Sequence, residues 1–316
     1  VLRLTDPHDL PADFGPTVVT LGNFDGVHRG HAAVMQRVAE EAHARGLKSV
    51  AVTFEPHPLA VLAPDKAPEM LTGMKDRLFL LEQLGLDAVV VMPFTRELAA
   101  QTPREFVEAT FVDALHARCV VVGKDTRFGV KNSGDITTLS ELGGEFGFDV
   151  IALDDVGPGV RWSSSQVREL IAGGKVDEAA EVLGRNHCVV GEVVKGFQRG
   201  RELGFPTANL ARDAEGVVPA DGVYAGWLVR RSLAQDDPEY RLPAAISVGT
   251  NPTFDIPERT VEAYVLDRTD LDLYGEIVAV EFVQHLRGNV KFDSIEALIE
   301  QMTRDVEAAR DLLAPA

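Results

Sequence analysis

From residue 17 to residue 154, apolar β-branched runs alternate with helical stretches, and between residues 183 and 187 that rhythm stops. One layered core does not accommodate both textures, so the chain is expected to fold as two bodies. The runs at 17–21, 49–54, 88–92, 119–122 and 150–153 are separated by helical segments, which predicts a parallel sheet with crossover helices, a Rossmann-like α/β domain. Its first helix shows Met35, Val38, Ala39 and Ala42 on one face and stops at Gly46. Beyond the change, shorter runs at 188–194, 222–230, 244–248, 260–266 and 277–283 are divided by turn clusters. They predict a small antiparallel β-barrel, closed by one helix with Ile295, Leu298, Ile299, Met302, Val306 and Ala309 on one face. The border is placed at 185/186, giving domains 1–185 and 186–316; a chain of 316 residues lets each bury a core.

Composition narrows the function classes. A net charge of −18 argues against a general nucleic-acid surface, whose affinity comes mostly from neutralising phosphates. No run of apolar residues is long enough to span a membrane, and the first residues lack the pattern of a signal peptide, so a cytoplasmic protein is expected. Cys119 and Cys188 sit inside apolar runs and read as small buried residues rather than a disulfide or zinc ligands. Positive charge is nevertheless placed locally: Arg29, Lys124, Arg127, Arg161 and Arg168 in the first half, Lys195, Arg199 and Arg201 in the second.

The segment Gly22-Asn23-Phe24-Asp25-Gly26-Val27-His28-Arg29-Gly30-His31 follows the first strand and opens a helix, the place where an α/β sheet holds a nucleotide. His28 and His31, with Gly30 between them, can both point at one phosphate chain while backbone and helix N-terminus approach it. The segment is neither a Walker loop nor GxGxxG. Surface histidines beside a Gly-rich turn are the bland alternative. Loops after other strand ends would converge on the same crevice: Phe54, Pro56, His57 and Pro58; the stretch 122–129 with Asp125 and Phe128; and Arg161 with Ser163, Ser164 and Ser165, leading to Arg168. Three hydroxyls and two arginines make a phosphate cradle, although one serine serves as a helix N-cap in any case.

In the second half, Lys195, Gly196, Arg199, Gly200, Gly204 and Pro206 form a glycine-and-arginine loop that can fold over a polyphosphate. Thr207 and Asn209 alternate onto one side of an extended segment, so both can reach one Mg²⁺; a Gly-rich hairpin with a turn-capping Asn209 accounts for the same residues. Glu262 lies on the polar face of a strand whose other face is Val261, Ala263 and Val265. A carboxylate in a barrel pocket beside Mg-ATP suits phosphoryl transfer to an alcohol, which benefits from a base.

Taken in order, GNFDGVHRGH (22–31), FEPHP (54–58), VVGKDTRFG (121–129), SSS with VRE (163–169), RGRELGFPTANL (199–210), DGVYAG (221–226), SVGTNPTF (247–254), VEAYVLD (261–267) and LYG (273–275) resemble the bifunctional prokaryotic riboflavin kinase/FMN adenylyltransferases, or FAD synthetases. The resemblance implies a nucleotidylyltransferase-like first domain and a six-stranded barrel as the second. It implies that riboflavin is phosphorylated to FMN by the barrel and FMN adenylylated to FAD by the first domain, with ATP and Mg²⁺ consumed or used, and ADP and pyrophosphate released. His28, His31, Gly22, Phe24, Asp25, Gly30, Asp125, Arg161, Ser163 to Ser165 and Arg168 would bind ATP in the first domain. Phe54, Pro56, His57, Pro58 and Phe128 would meet the flavin; Thr207 and Asn209 would hold Mg-ATP in the barrel, and Glu262 would be the base. Thr126 stands where the family commonly has an aromatic, and Ser165 where it often has threonine. The rival readings are a nucleotidylyltransferase with a non-flavin acceptor, which the barrel argues against, and a flavin-binding protein with one decayed site. Oligomeric state is left open.

Overall fold

The computed structural model describes residues 1–154, 157, 161–196, 200, 203–250 and 259–314. They divide into two compact units, Val1–Glu69 with Met74–Ser163, and Met70–Gly73 with Ser164–Ala316. In the first, β1 (Leu2–Leu4), β2 (Thr17–Leu21), β3 (Lys48–Glu55), β4 (Ala88–Pro93), β5 (Ala117–Gly123) and β6 (Asp149–Leu153) form one sheet in the order β1-β4-β3-β2-β5-β6. Every neighbouring pair is parallel. Successive residues feed opposite faces. Val18, Ala51, Val89 and Val121 pack with Met35, Val38 and Ala42 of α1 (Arg29–Arg45). Val19, Val52, Val90 and Val120 pack with Phe106, Phe111 and Leu139. Burial on both faces is why these runs are apolar throughout rather than alternating.

The shorter helices α2 (Pro58–Leu62), α3 (Met74–Glu82), α4 (Arg96–Ala100), α5 (Pro103–Phe106) and α6 (Ile136–Phe146) complete the layers. α1 ends where expected, at Gly46, whose φ of 64° lets its N–H reach the carbonyls of Ala42 and His43. β1 is a strand that the alternating pattern does not predict, because a three-residue edge run carrying Arg3 is too short to show a period. The winding reverses between β2 and β5, so the loops leaving the carboxyl ends of those strands flank the crevice in which such sheets bind ligands.

The second unit begins with α7 (Ser164–Ala172) and α8 (Val176–Leu183), of which α8 packs on β7 (His187–Val194) and β12 (Ile277–Arg287). With β8 (Ala208–Leu210), β9 (Gly222–Arg230), β10 (Arg241–Thr250) and β11 (Arg259–Val265), these strands close a barrel in the order β10-β11-β8-β7-β12-β9. All neighbours are antiparallel. Side chains such as Val189, Leu228, Ile246, Val261, Ala263, Val280 and Phe282 fill the interior. The outer wall at Ala225, Ala245, Tyr264 and Leu266 is apolar too, because the C-terminal helix (Ile295–Leu313) covers it with Val306, Ala309 and Leu313. Ile295, expected on that covered face, is 61% exposed, since the first turn of the helix lies beyond the packed wall.

Candidate active sites

In the loop from β2 to α1, Phe24, Gly26 and Val27 have φ of 48°, 78° and 38°. Glycine adopts such a backbone freely, but for Phe24 and Val27 it costs on the order of 1–3 kcal/mol each. Burial of both side chains in the α1 face of the core holds them there. Gly22 is needed beside them, because a Cβ at that position would lie 2.7 Å from the Phe24 ring. Asp25 is buried within the same loop.

His28 is the N-cap of α1. Its Nδ1 accepts from the N–H groups of Gly30 (3.1 Å) and His31 (3.3 Å), so a neutral ring carries its proton on Nε2. His31 stacks on it with centroids 3.6 Å apart, and Phe24 meets His31 edge-on at 5.4 Å. A Cβ on Gly30 would press on the His28 ring at 3.0 Å, which explains a glycine between the two histidines. Desolvation pushes His31 well below the ordinary histidine range, with His28, Arg161 and Arg77 adding in the same direction. Its Nδ1 is sealed from solvent and makes no hydrogen bond. His31 is therefore a neutral imidazole at neutral pH, in the first turn of α1.

The loop cations are largely matched by carboxylates. Arg161 pairs with Asp125 at 2.5 Å, Arg127 with Asp135 at 3.2 Å, and Lys124 with Asp154. Arg29 lies over the Trp162 ring at 5.7 Å. Phe54 closes β3, the Glu55–Pro56 peptide is cis, and Pro58 opens α2. His57 caps α2 through Nδ1, which accepts from Leu59 N–H at 3.2 Å, and its Nε2 lies 3.3 Å from Asn23 Nδ2. That contact ties the 54–58 loop to the 22–31 loop. Phe128 is buried, packs against Phe106 and is bridged to Gly134. Thr126 closes a turn on Gly123. Ser163 ends the first unit, while Ser164, Ser165 and Arg168 lie in α7 of the second.

In the barrel, pairing of β8 with β11 sets Asn209 opposite Glu262, and β10 sets Ser247 opposite the same glutamate. Thr207 Oγ1 donates to Glu262 Oε2 at 3.3 Å and accepts from Asn209 Nδ2 at 3.1 Å; the same amide donates to the Thr207 carbonyl at 3.1 Å. Burial pushes the Glu262 carboxyl above its ordinary range, and the Thr207 hydrogen bond opposes that rise. The barrel lumen is filled by Val261, Ala263 and Val265, so period two turns Glu262 and Tyr264, expected together on the polar face, to the outer wall. Two cavities meet there. One, of about 380 Å³, is lined by Gly196, Gly204, Pro206, Thr207, Asn209, Arg268 and Tyr274. The other, of about 310 Å³, lies under the C-terminal helix and is lined by Gly200, Phe205, Thr207, Glu262, Tyr264, Phe292, Leu298 and Met302. Thr207 belongs to both.

Lys195 stands over the Tyr274 ring at 5.7 Å, beside the first cavity. Gly196 approaches Asn209 so closely that a Cβ would lie 2.5 Å from Oδ1, and a Cβ on Gly200 would lie 2.4 Å from the Phe205 carbonyl. Arg199 and residues 251–258 lie outside the described residues. The wall of the second cavity contains a pair that sequence reasoning misses: Arg287 Nε and Nη2 donate to Asp305 at 2.8 and 2.6 Å. Asp305 occurs among the apolar positions of an amphipathic helix, and that interruption is the readable signal. Arg77, 1% exposed and one turn before Leu81 on the buried face of α3, is missed for the same reason.

Residues 10–166 match the family model described as FAD synthetase, and residues 183–313 the model described as riboflavin kinase. The bifunctional riboflavin kinase/FMN adenylyltransferase of Escherichia coli (strain K12) is 37% identical over 295 residues, covering 93% of this chain and 92% of that protein. The proteins so named from Listeria monocytogenes and Bacillus subtilis are 35% and 31% identical, covering 94% and 98% of this chain and 92% and 96% of their own lengths. A solved structure from Streptococcus pneumoniae, described as a macrolide-efflux protein, superposes with a TM-score of 0.85 at 30% identity over 98% of each chain. Among the described residues of this chain no helix is long and apolar enough to cross a membrane.

Proposed function

The chain belongs to the family of bifunctional riboflavin kinase/FMN adenylyltransferases, and from that premise we propose which residues carry each reaction. The C-terminal flavokinase part phosphorylates riboflavin to FMN with ATP, and the N-terminal FAD synthetase part adenylylates FMN to FAD with release of pyrophosphate. The functional border is placed at 185/186, just before β7 and within the first residues of the riboflavin kinase match, which begins at residue 183. Both reactions run in the cytoplasm, where ATP is made.

The observation that carries the assignment is the Thr207–Glu262 hydrogen bond at the wall shared by two cavities. The more polar cavity beside Lys195, Gly196, Pro206 and Asn209 takes the nucleotide. The apolar one under the C-terminal helix takes the flavin ring. The ribityl hydroxyl then lies at Glu262, whose raised proton affinity makes it a better base for a weakly acidic alcohol. Thr207 holds that carboxylate in place. Hard oxygen donors, the Thr207 hydroxyl and the Asn209 amide, suit Mg²⁺, and no cluster of His, Cys, Asp and Glu poised for a metal exists among the described residues. The ion would be held by those two residues and would neutralise charge on the phosphates.

In the first domain the nucleophile is the FMN phosphate, whose second pKa near ~6 leaves it mostly a dianion at neutral pH, so no base is needed. His28 and His31 bind and orient the ATP phosphates, and the Arg161 guanidinium exchanges Asp125 for phosphate, with Ser163 beside it in the chain. Phe54, Pro56, His57 and Pro58 form the flavin side, joined to the nucleotide loop through Asn23. Separation of flavins by liquid chromatography after incubation with riboflavin, ATP and Mg²⁺ tests the reading. FMN followed by FAD is expected, and Thr207→Ala should arrest the sequence at riboflavin while supplied FMN is still converted.

A further inference from the structure

Arg77 of α3 is almost fully enclosed, at 1% exposure, an expensive position for a guanidinium unless its donors are used. Its Nη1 donates to the Asn23 carbonyl at 3.2 Å. The same carbonyl accepts from Thr53 Oγ1, at 3.1 Å, from the end of β3. Two donors from separate elements thus fix one peptide plane immediately before Phe24, where the backbone turns to positive φ. Because the peptide is planar and trans, a fixed Asn23 carbonyl also fixes the direction of the following N–H. The Asn23 side chain meanwhile reaches His57 of the flavin loop. The arginine also places a permanent charge beneath a loop that receives a polyphosphate, and it is one of three groups, with His28 and Arg161, that disfavour a proton on His31.

We propose that Arg77 is a positioning residue for adenylyl transfer: from beneath the loop it holds the Asn23 carbonyl, and with it the strained turn that presents His28 and His31 to ATP. The inference rests on the assignment of His28 and His31 to that reaction. Its purpose is geometric and electrostatic at once. A lysine can replace the charge but not the planar fork, and a glutamine can donate one hydrogen bond but carries no charge.

The test is a steady-state comparison of Arg77→Gln, Arg77→Lys and His31→Ala in the full chain, with riboflavin phosphorylation by the same preparation as the internal control. For Arg77→Gln the expected result is a fall of at least tenfold in kcat/KM for ATP in FAD synthesis, with kinase rates within twofold of the parent and Arg77→Lys in between. The pH profile supplies a readout that a purely structural role would not move: Arg77 is one of the groups that disfavour a proton on His31, so removing its charge should shift the acid limb of adenylylation to higher pH than in the parent. Arg77→Gln with unchanged adenylylation, beside an inactive His31→Ala, overturns the role of Arg77 and leaves the histidines in place. A fully active His31→Ala overturns the site assignment itself. A loss in Arg77→Gln that only tracks the folded fraction by circular dichroism, with an unaltered pH profile, reduces Arg77 to a fold-stabilising residue and also overturns the proposal.

Discussion

The two sites proposed for this enzyme are built on different scales. The adenylylation loop is local: Phe24, Val27, His28 and His31 lie in one turn and the first turn of one helix, and their geometry depends on left-handed backbone and two stacked imidazoles. The kinase site is distributed: Thr207 and Glu262 are 55 positions apart, and the cavity beside them is roofed by a helix that starts at Ile295. The chemistry matches the difference. A phosphate dianion attacks without help, so donors at a helix N-terminus suffice for the first reaction. An alcohol needs a carboxylate, and a carboxylate becomes a stronger base only where a folded wall removes it from water. Local strain serves the first site; long-range register serves the second.

Glu262→Gln should give the largest separation of the two. Loss of a positioned general base lowers the kinase rate by about 10²–10⁴-fold, while supplied FMN is still adenylylated. Loss of both activities in a folded variant would break the comparison. Removing both histidines, His28→Ala with His31→Ala, should lower FAD formation by about 10²–10³-fold and leave FMN accumulating. Undiminished FAD synthesis by that variant would take the histidines out of the mechanism.

Smaller effects sharpen the contrast. Asp305→Ala leaves Arg287 without its bidentate partner. A fully buried pair would lose about 3–5 kcal/mol, but Arg287 is 23% exposed, so about 2 kcal/mol is expected. Thermal unfolding should show that loss in the barrel, together with a higher KM for riboflavin and an unchanged KM for FMN in adenylylation.

The pH dependence should carry opposite signs in the two sites. His31 has a folded proton affinity below the ordinary 6.5, so the unfolded chain protonates first; its stability contribution is present above pH 6.5 and drains as pH falls from there towards the folded value. Glu262 is raised above 4.5, so its contribution is full below pH 4.5 and is lost as pH rises through the folded value. Urea midpoints of the parent against His31→Phe and Glu262→Gln, measured from pH 7.5 to 4.5, read both. On acidification the parent should lose ground to the first variant and gain on the second. Equal slopes would remove the distinction. The kinase rate should also show an acid limb above pH 4.5.

The different scales explain what could be read in advance. The 22–31 segment announces its strand, its turn and its helix cap in consecutive residues, and the folded loop keeps that order. Strands β2 to β6 were visible as apolar runs because both faces are covered, and β1 was not because three edge residues have no period. Thr207 and Asn209 could be named from the face they share on extended chain, and Glu262 from the polar face of its own strand. The burial of Phe128 was not legible, because a loop position says nothing of which way a ring turns, and in the fold it packs against Phe106.

Chemical kind, then, was determined by the sequence: which residues can bind phosphate, which can accept a proton, and where a sheet gives way to a barrel. These follow from side-chain type and short-range period. Tertiary structure alone decided that Glu262 meets Thr207 across the barrel wall, that Arg77 reaches beneath the 22–31 loop, and that Asp305 clamps Arg287 over a cavity. Those facts depend on strand register and on helices packed from far along the chain, and no local pattern records which distant surface will cover a given residue.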